Sequence, residues 1–383
     1  MGHSVGEGLQ IARVAFLLCF LPVLLYRLWR LWRYPTSVPA IAATSFGICV
    51  WLWLLVFTEW VWSAMPPLAR AVSLGGWWTV AIAGCLQVFV IGIRGDTSPA
   101  RIRRGLATTL AATAVFLIAV AVAASQSQLL LTTNDIYAAI NALTVSGDFW
   151  SRTALVLGGS FASVVFAQLA WVGLRHADCT PVGTGLGLLA AASVLEIVAT
   201  VIGGVLRPLG VGGGVMDHPF WLWVGTMAGC VGAILITAGF LWPPVALRVR
   251  ALRDQHRLRP LHDSMAGLFP QLFPPKESRI RLSDLVFEWQ SHIQDGLTLV
   301  AQAREVPLSN DQPVATDPSE LAAAVAGWLI GQSVPGLSCE WLRPPAGVAD
   351  HDWILAIADA YRERQDDFAA PASLSGMPST LRR

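Results

Sequence analysis

The sequence predicts an all-α integral membrane protein: a bundle of seven transmembrane helices followed by a small cytoplasmic helical domain. Three observations carry this. The chain is 54% hydrophobic and 13% charged with a mean hydropathy of +0.56, too apolar for soluble packing. Apolar segments long enough for a hydrocarbon core of about 30 Å recur along its first part. The last of them, Phe220 to Trp242, holds no charged side chain and is followed at once by Arg248, Arg250, Arg253, Arg257 and Arg259. Beyond that arginine run the composition turns polar, so the expected domains are 1–247 in the membrane, 248–369 as the cytoplasmic helical domain and 370–383 as a disordered tail.

The seven spans are expected over about 9–26, 38–60, 75–93, 106–124, 153–173, 183–206 and 220–242. The first lacks a basic n-region and a small-x-small cleavage site, and Arg27, Arg30 and Arg33 follow it, so it reads as a retained helix. Orientation follows from alternate loops. One side collects Arg27, Arg30, Arg33, Arg94, Arg101, Arg103, Arg104, Arg175 and the five arginines after the seventh span, whereas the other has Arg70, Arg152 and Arg207. This bias puts the amino terminus outside and the carboxy-terminal region in the cytoplasm of a cell whose plasma membrane is the expected location. Tryptophans such as Trp60, Trp77, Trp150, Trp171 and Trp242 fall near span ends, as an interfacial belt requires.

Two external loops stand out. Residues 125–151 contain a capping Thr or Asn before an apolar run, which predicts a short surface helix, and the PLGVGGG stretch within 207–219 predicts a flexible connection. After Arg259, one amphipathic helix is predicted over 282–303, where Leu285, Val286, Trp289, Ile293, Leu297 and Val300 recur at spacings of three and four. Residues 304–318 read as a linker. Asp317-Pro318-Ser319-Glu320 supplies a cap, a first-turn proline and a capping-box glutamate for a second helix to about Gln332. A third begins after Asp350 and runs through Trp353, Leu355, Ile357 and Tyr361 to about Phe368.

Glu196 is the sharpest candidate for function, because a carboxylate in mid-span is costly and must face protein or water. Ser193, Thr200 and Gly203 share its helix face, a small and polar stripe suited to helix contact. It reads either as a proton- or substrate-binding group or as a packing contact. Gln87 and Gln168 lie deep enough in their spans to be its partners. Arg13 and Glu59 both lie toward the outer side and form a candidate ion pair, with Arg207 competing for Glu59. Gly225 with Gly229, and Gly183 with Gly187, allow close helix approach within the chain or in a homo-oligomer.

Other chemistries find no foothold. The six cysteines have no CxxC or ligand spacing and read as small buried hydrophobes, so no metal or cofactor is expected. A net charge of +1 leaves no concentrated basic face for nucleic acid. HExxH, GxxxxGK[ST], GxSxG and kinase signatures are absent, and an enzyme is not expected.

The juncture RVRALRDQHRLRPLHDSM, the stretch DLVFEWQSHIQDGLTLV with Glu288 and Asp295-Gly296-Leu297, and the closing DWILAIADAYR together carry a resemblance. With the seven spans they resemble an actinobacterial family of multi-span membrane proteins labelled as transporters, whose carboxy-terminal domain has no assigned function. Where that family has an arginine between the glutamate and the aspartate, this chain has His292-Ile293-Gln294. The resemblance implies a transporter of a small molecule, and the positions of Glu196, Gln87 and Gln168 within their spans make them the residues that would line its path. The alternative is a sensor or scaffold that takes a ligand in the bundle and signals through residues 282–368 to a soluble protein partner.

Overall fold

The structure is a computed structural model that describes residues 2–33, 38–93, 98–132, 135, 143, 147–210, 219–272, 282–309 and 317–369. Every regular element among them is helical. The chain forms two compact units that divide between Pro243 and Pro244.

The first unit opens with α1 (Gly2–Arg33) and α2 (Val38–Val56). The predicted second span continues to residue 60, but α2 stops at Val56. The Thr58 hydroxyl donates to the Leu55 carbonyl at 2.6 Å, and Thr58 itself is extended, so side chain and backbone compete with helical pairing there. A short α3 (Glu59–Ala64) follows. The third predicted span is a bent pair: α4 (Pro67–Leu74) meets α5 (Trp77–Ile93) at 53°. Gly75-Gly76 makes the bend, Gly76 at a φ of +94° that favours glycine, and Gly75 where a Cβ would stand 2.9 Å from that of Ala124. At 17 residues α5 spans only about 25 Å, short of a full bilayer core by itself.

Next come α6 (Pro99–Gln126), α7 (Gln128–Thr132), α8 (Phe149–Arg175) and α9 (Pro181–Thr200), which ends in a π-helical segment at Val201–Leu206. The last element of the bundle is the first half of α10 (Pro219–Leu268). Among the described residues six helices are long and apolar enough to cross a membrane, or up to seven if the bent α4–α5 pair is one crossing. The chain is a polytopic membrane protein. Within 125–151 the structure places α7; the remaining part of that predicted surface helix, and the PLGVGGG stretch, lie largely outside the described residues.

Small residues set how these helices meet. A Cβ on Gly159 of α8 would stand 3.0 Å from the backbone of Gly204, and one on Gly173 would stand 2.7 Å from the Leu186 carbonyl. The Ser163 and Thr200 hydroxyls share a 3.0 Å hydrogen bond between them. Facing α9 in turn, Gly225, Gly229 and Gly239 of α10 meet Ile202, Ala199 and Leu189. The glycines suited to a homo-oligomer are thus used, at Gly225 and Gly229, between helices of one chain. Asp148 ties the ends of three helices together: its carboxylate accepts from the Ser151 N–H at 2.7 Å, the Ser127 hydroxyl at 2.9 Å and the Leu129 N–H at 3.4 Å.

The second unit packs the last turns of α10 with α11 (Leu282–Ala303), α12 (Pro318–Leu329) and α13 (Asp350–Ala369). Its core holds Leu258, Leu261 and Met265 from α10, Val286, Trp289, Ile293, Leu297 and Val300 from α11, and Trp353, Ile357 and Tyr361 from α13. Gly296 is small because the Met265 sulfur would be 3.2 Å from a Cβ there. Arg257 holds Asp359 through Nε at 3.0 Å, and the Tyr361 hydroxyl donates to Ser264 at 2.9 Å. Asp317 caps α12 by accepting from the Ser319 N–H at 2.9 Å, and α12 ends at Leu329, three residues before the expected end. The predicted disordered tail, 370–383, lies outside the described residues.

Two outcomes check this packing. Gly159→Leu should lower the melting temperature of the detergent-solubilised protein by several degrees, an overpacking loss of about 1–3 kcal/mol. Gly203→Ala, where a Cβ meets nothing within 4 Å, should leave it unchanged. Burial alone would push the Asp148 carboxyl up, but the bonds from Ser151, Ser127 and Leu129 outweigh it and hold the group below its ordinary value. A lowered folded pKa stabilises above the unfolded value of about 3.9 and is lost as pH falls through the folded one. Asp148→Ala should therefore cost about 1 kcal/mol at pH 7 and less at pH 3; an equal loss at both would remove the charge from the cap.

Candidate functional site

The structure brings together two of the predicted lining residues. Gln87 on α5 donates from Nε2 to Gln168 Oε1 on α8 at 2.6 Å, and the Gln87 Oε1 is buried without a partner. The pair arises because α5 and α8 run parallel, as the approach of Gly158 to both Gly76 and Val80 also shows. Polar amides in an apolar span hydrogen-bond to each other where water is excluded.

The pair forms the floor of a cleft of about 430 Å³ between α5, α6 and α8. Thr108 and Thr109 lie with the glutamines at one end, and Phe116 and Phe161 lie at the other with ring centroids 4.8 Å apart. Among the described residues no charged side chain lines it. The α6 side of the cleft is set by Gly84 of α5, whose missing Cβ would come within 2.6 Å of the Thr113 methyl.

Glu196 faces a different interface. Half-buried on α9, its carboxyl lies against α10 at Gly232, where a Cβ would be 2.7 Å from Oε1. It makes no side-chain hydrogen bond or ion pair among the described residues. Ser163 opposite Thr200, and Gly173 opposite Ala190, set an antiparallel register that puts Glu196 level with Ala167, beside Gln168. The carboxyl and the two amides therefore occupy one depth of the bundle on separate helix faces.

Among the described residues no ion pair joins Glu59 to Arg13 or Arg207. The Arg13 guanidinium donates to the carbonyl of Phe57, just past the end of α2, where carbonyls lack helical partners. Arg13 thus caps a helix. Glu59 is exposed and makes no ion pair among the described residues, and Arg207, at the end of the π-helical segment, has its Nε buried without a partner. Sequence reasoning also missed two groupings. Arg70 on α4 is buried to 9% exposure with an unpartnered Nε. Cys49 and Cys85, free thiols on α2 and α5, approach to 3.9 Å, although nothing in their spacing marks them as neighbours. Among the described residues no three His, Cys, Asp or Glu side chains are placed to hold a metal ion.

Comparison with protein-family models, with curated proteins and with solved structures finds no match. The glutamine pair can be tested directly by a double-mutant cycle. Gln87→Leu and Gln168→Leu should each destabilise the folded bundle, and the double variant should cost less than their sum, with a coupling of about 0.6–2 kcal/mol. Additive losses would mean that the two amides do not interact.

Proposed function

We propose that the protein is a transporter of a small molecule whose bundle crosses the plasma membrane seven times, the bent α4–α5 pair making one crossing. The amino terminus is outside and the second unit lies in the cytoplasm. The Gln87–Gln168 pair on the floor of the cleft is the observation that carries the reading, because two amides lining a cleft in an apolar span are costly there and can hydrogen-bond a solute. Glu196, at the same depth, serves as the proton-binding group. The arginines at the start of α6, the end of α8 and after Trp242 support the orientation.

A second reading, a sensor or scaffold, is favoured by α10 alone. That one helix supplies Ile236 to the bundle core and Leu258, Leu261 and Met265 to the core of the second unit.

Flux into proteoliposomes separates the two. Wild type should carry at least one class from a panel of charged, polar and amphiphilic solutes faster than protein-free vesicles. Gln168→Leu should cut that flux about tenfold, the worth of one buried hydrogen bond in the transport step, and Glu196→Gln should remove its dependence on a proton gradient. No flux above protein-free vesicles for any class contradicts transport and leaves the sensor.

A further inference from the structure

We propose that the cleft between α5, α6 and α8 binds an uncharged single-chain amphiphile drawn from the bilayer, with an alcohol, ester or amide head on an alkyl or prenyl tail. The inference rests on the solute-site reading above and names its substrate class.

The lining is sorted along the cleft. The hydrogen-bonding end gathers Gln87, Gln168, Thr108 and Thr109, and the far end is closed by the mutually tilted rings of Phe116 and Phe161. That order matches the depth of a lipid leaflet. At 1.5 Å per residue, Thr108 lies about 6 Å along α6 from Arg104, and Gln168 about 10 Å along α8 from Arg175. Phe116 and Phe161 lie about 18–21 Å from the same arginines, near the midplane of a core about 30 Å thick. A head at the amides thus sits about 6–10 Å below the arginine-marked interface, and its tail points to the bilayer centre.

The cleft is also open in the right direction. Thr108, Ala112, Ser160 and Val164 line it and are exposed, so its mouth is on the outer flank of α6 and α8, where lipid lies. A water-soluble ion would have to cross hydrocarbon to reach it and would meet no counter-charge on arrival. A bare alkyl chain fits the volume but makes no hydrogen bond at the end lined by Gln87, Gln168, Thr108 and Thr109, whereas an alcohol, ester or amide head does.

The test uses the full chain in phosphatidylcholine nanodiscs and a hexadecanol that carries a mid-chain diazirine and a terminal alkyne, with the matching fatty acid as the charged comparison. Illumination should label peptides covering 108–116 and 160–168 with the alcohol in preference to the acid. Unlabelled hexadecanol should compete. Ala112→Trp, which fills the mouth from the lipid side, should abolish that labelling, and Gln168→Leu should weaken the competing affinity about 5–10-fold. Val164→Phe is the second cleft-filling variant should Ala112→Trp not fold. Labelling spread evenly over lipid-facing helices and insensitive to both fillings, or a preference for the acid, overturns the inference. Cleft labelling without flux of any solute keeps this ligand and removes transport, while flux of a water-soluble solute with an unlabelled cleft does the reverse.

Discussion

The bundle depends on how closely its neighbours approach α8. Lipid tails are as apolar as side chains, so helices in a membrane gain little from burying hydrophobic area against one another and rely on close contact. In this chain Gly158 of α8 lets the backbone of Gly76 come near, Gly159 does the same for Gly204, and Gly173 for Leu186 and Ala190. Each contact is made where a side chain is missing, and each fixes a register. From the register follow the pairing of Gln87 with Gln168 and the level at which Glu196 faces Gly232.

Satisfying backbone groups is the second requirement, because hydrocarbon offers no partners to a helix end. Two side chains meet it at opposite kinds of terminus. Arg13 covers a carbonyl past the end of α2, and Asp148 accepts from N–H groups at the starts of both α7 and α8. A cation at a carboxy-terminal end and an anion at an amino-terminal end each lie in the favourable sense of the helix dipole. Where the helical pattern yields, as at the Val201–Leu206 π-helical segment, glycine permits it: Gly204 is the residue that rests on Gly159.

The sequence made most of this architecture legible, because long apolar runs and the 3.6-residue period are strong signals. The amphipathic stretch over 282–303 and the cap at Asp317 read directly, each being encoded within a few neighbouring residues. The glutamines were legible as mid-span polar residues, but their mutual bond was not, since it depends on how α5 and α8 are set side by side. Arg13 shows the converse. Its charge suggested a carboxylate partner, yet a carbonyl left over by the early stop of α2 was nearer, and that stop turns on one hydroxyl, Thr58. The division of the third span into α4 and α5 hid for a similar reason: Gly75-Gly76 looks like ordinary small-residue packing until the φ of Gly76 is known.

The cleft on the flank of α6 and α8 is polar at its glutamine end and aromatic at the other, the order an amphiphile needs. Electron cryomicroscopy of the protein purified with its native lipids tests it most directly. Elongated density is expected to run from Gln87 and Gln168 to Phe116 and Phe161, with its head within hydrogen-bonding distance of the amides. A cleft closed by α6 against α8, or one holding only disconnected solvent peaks, would contradict it.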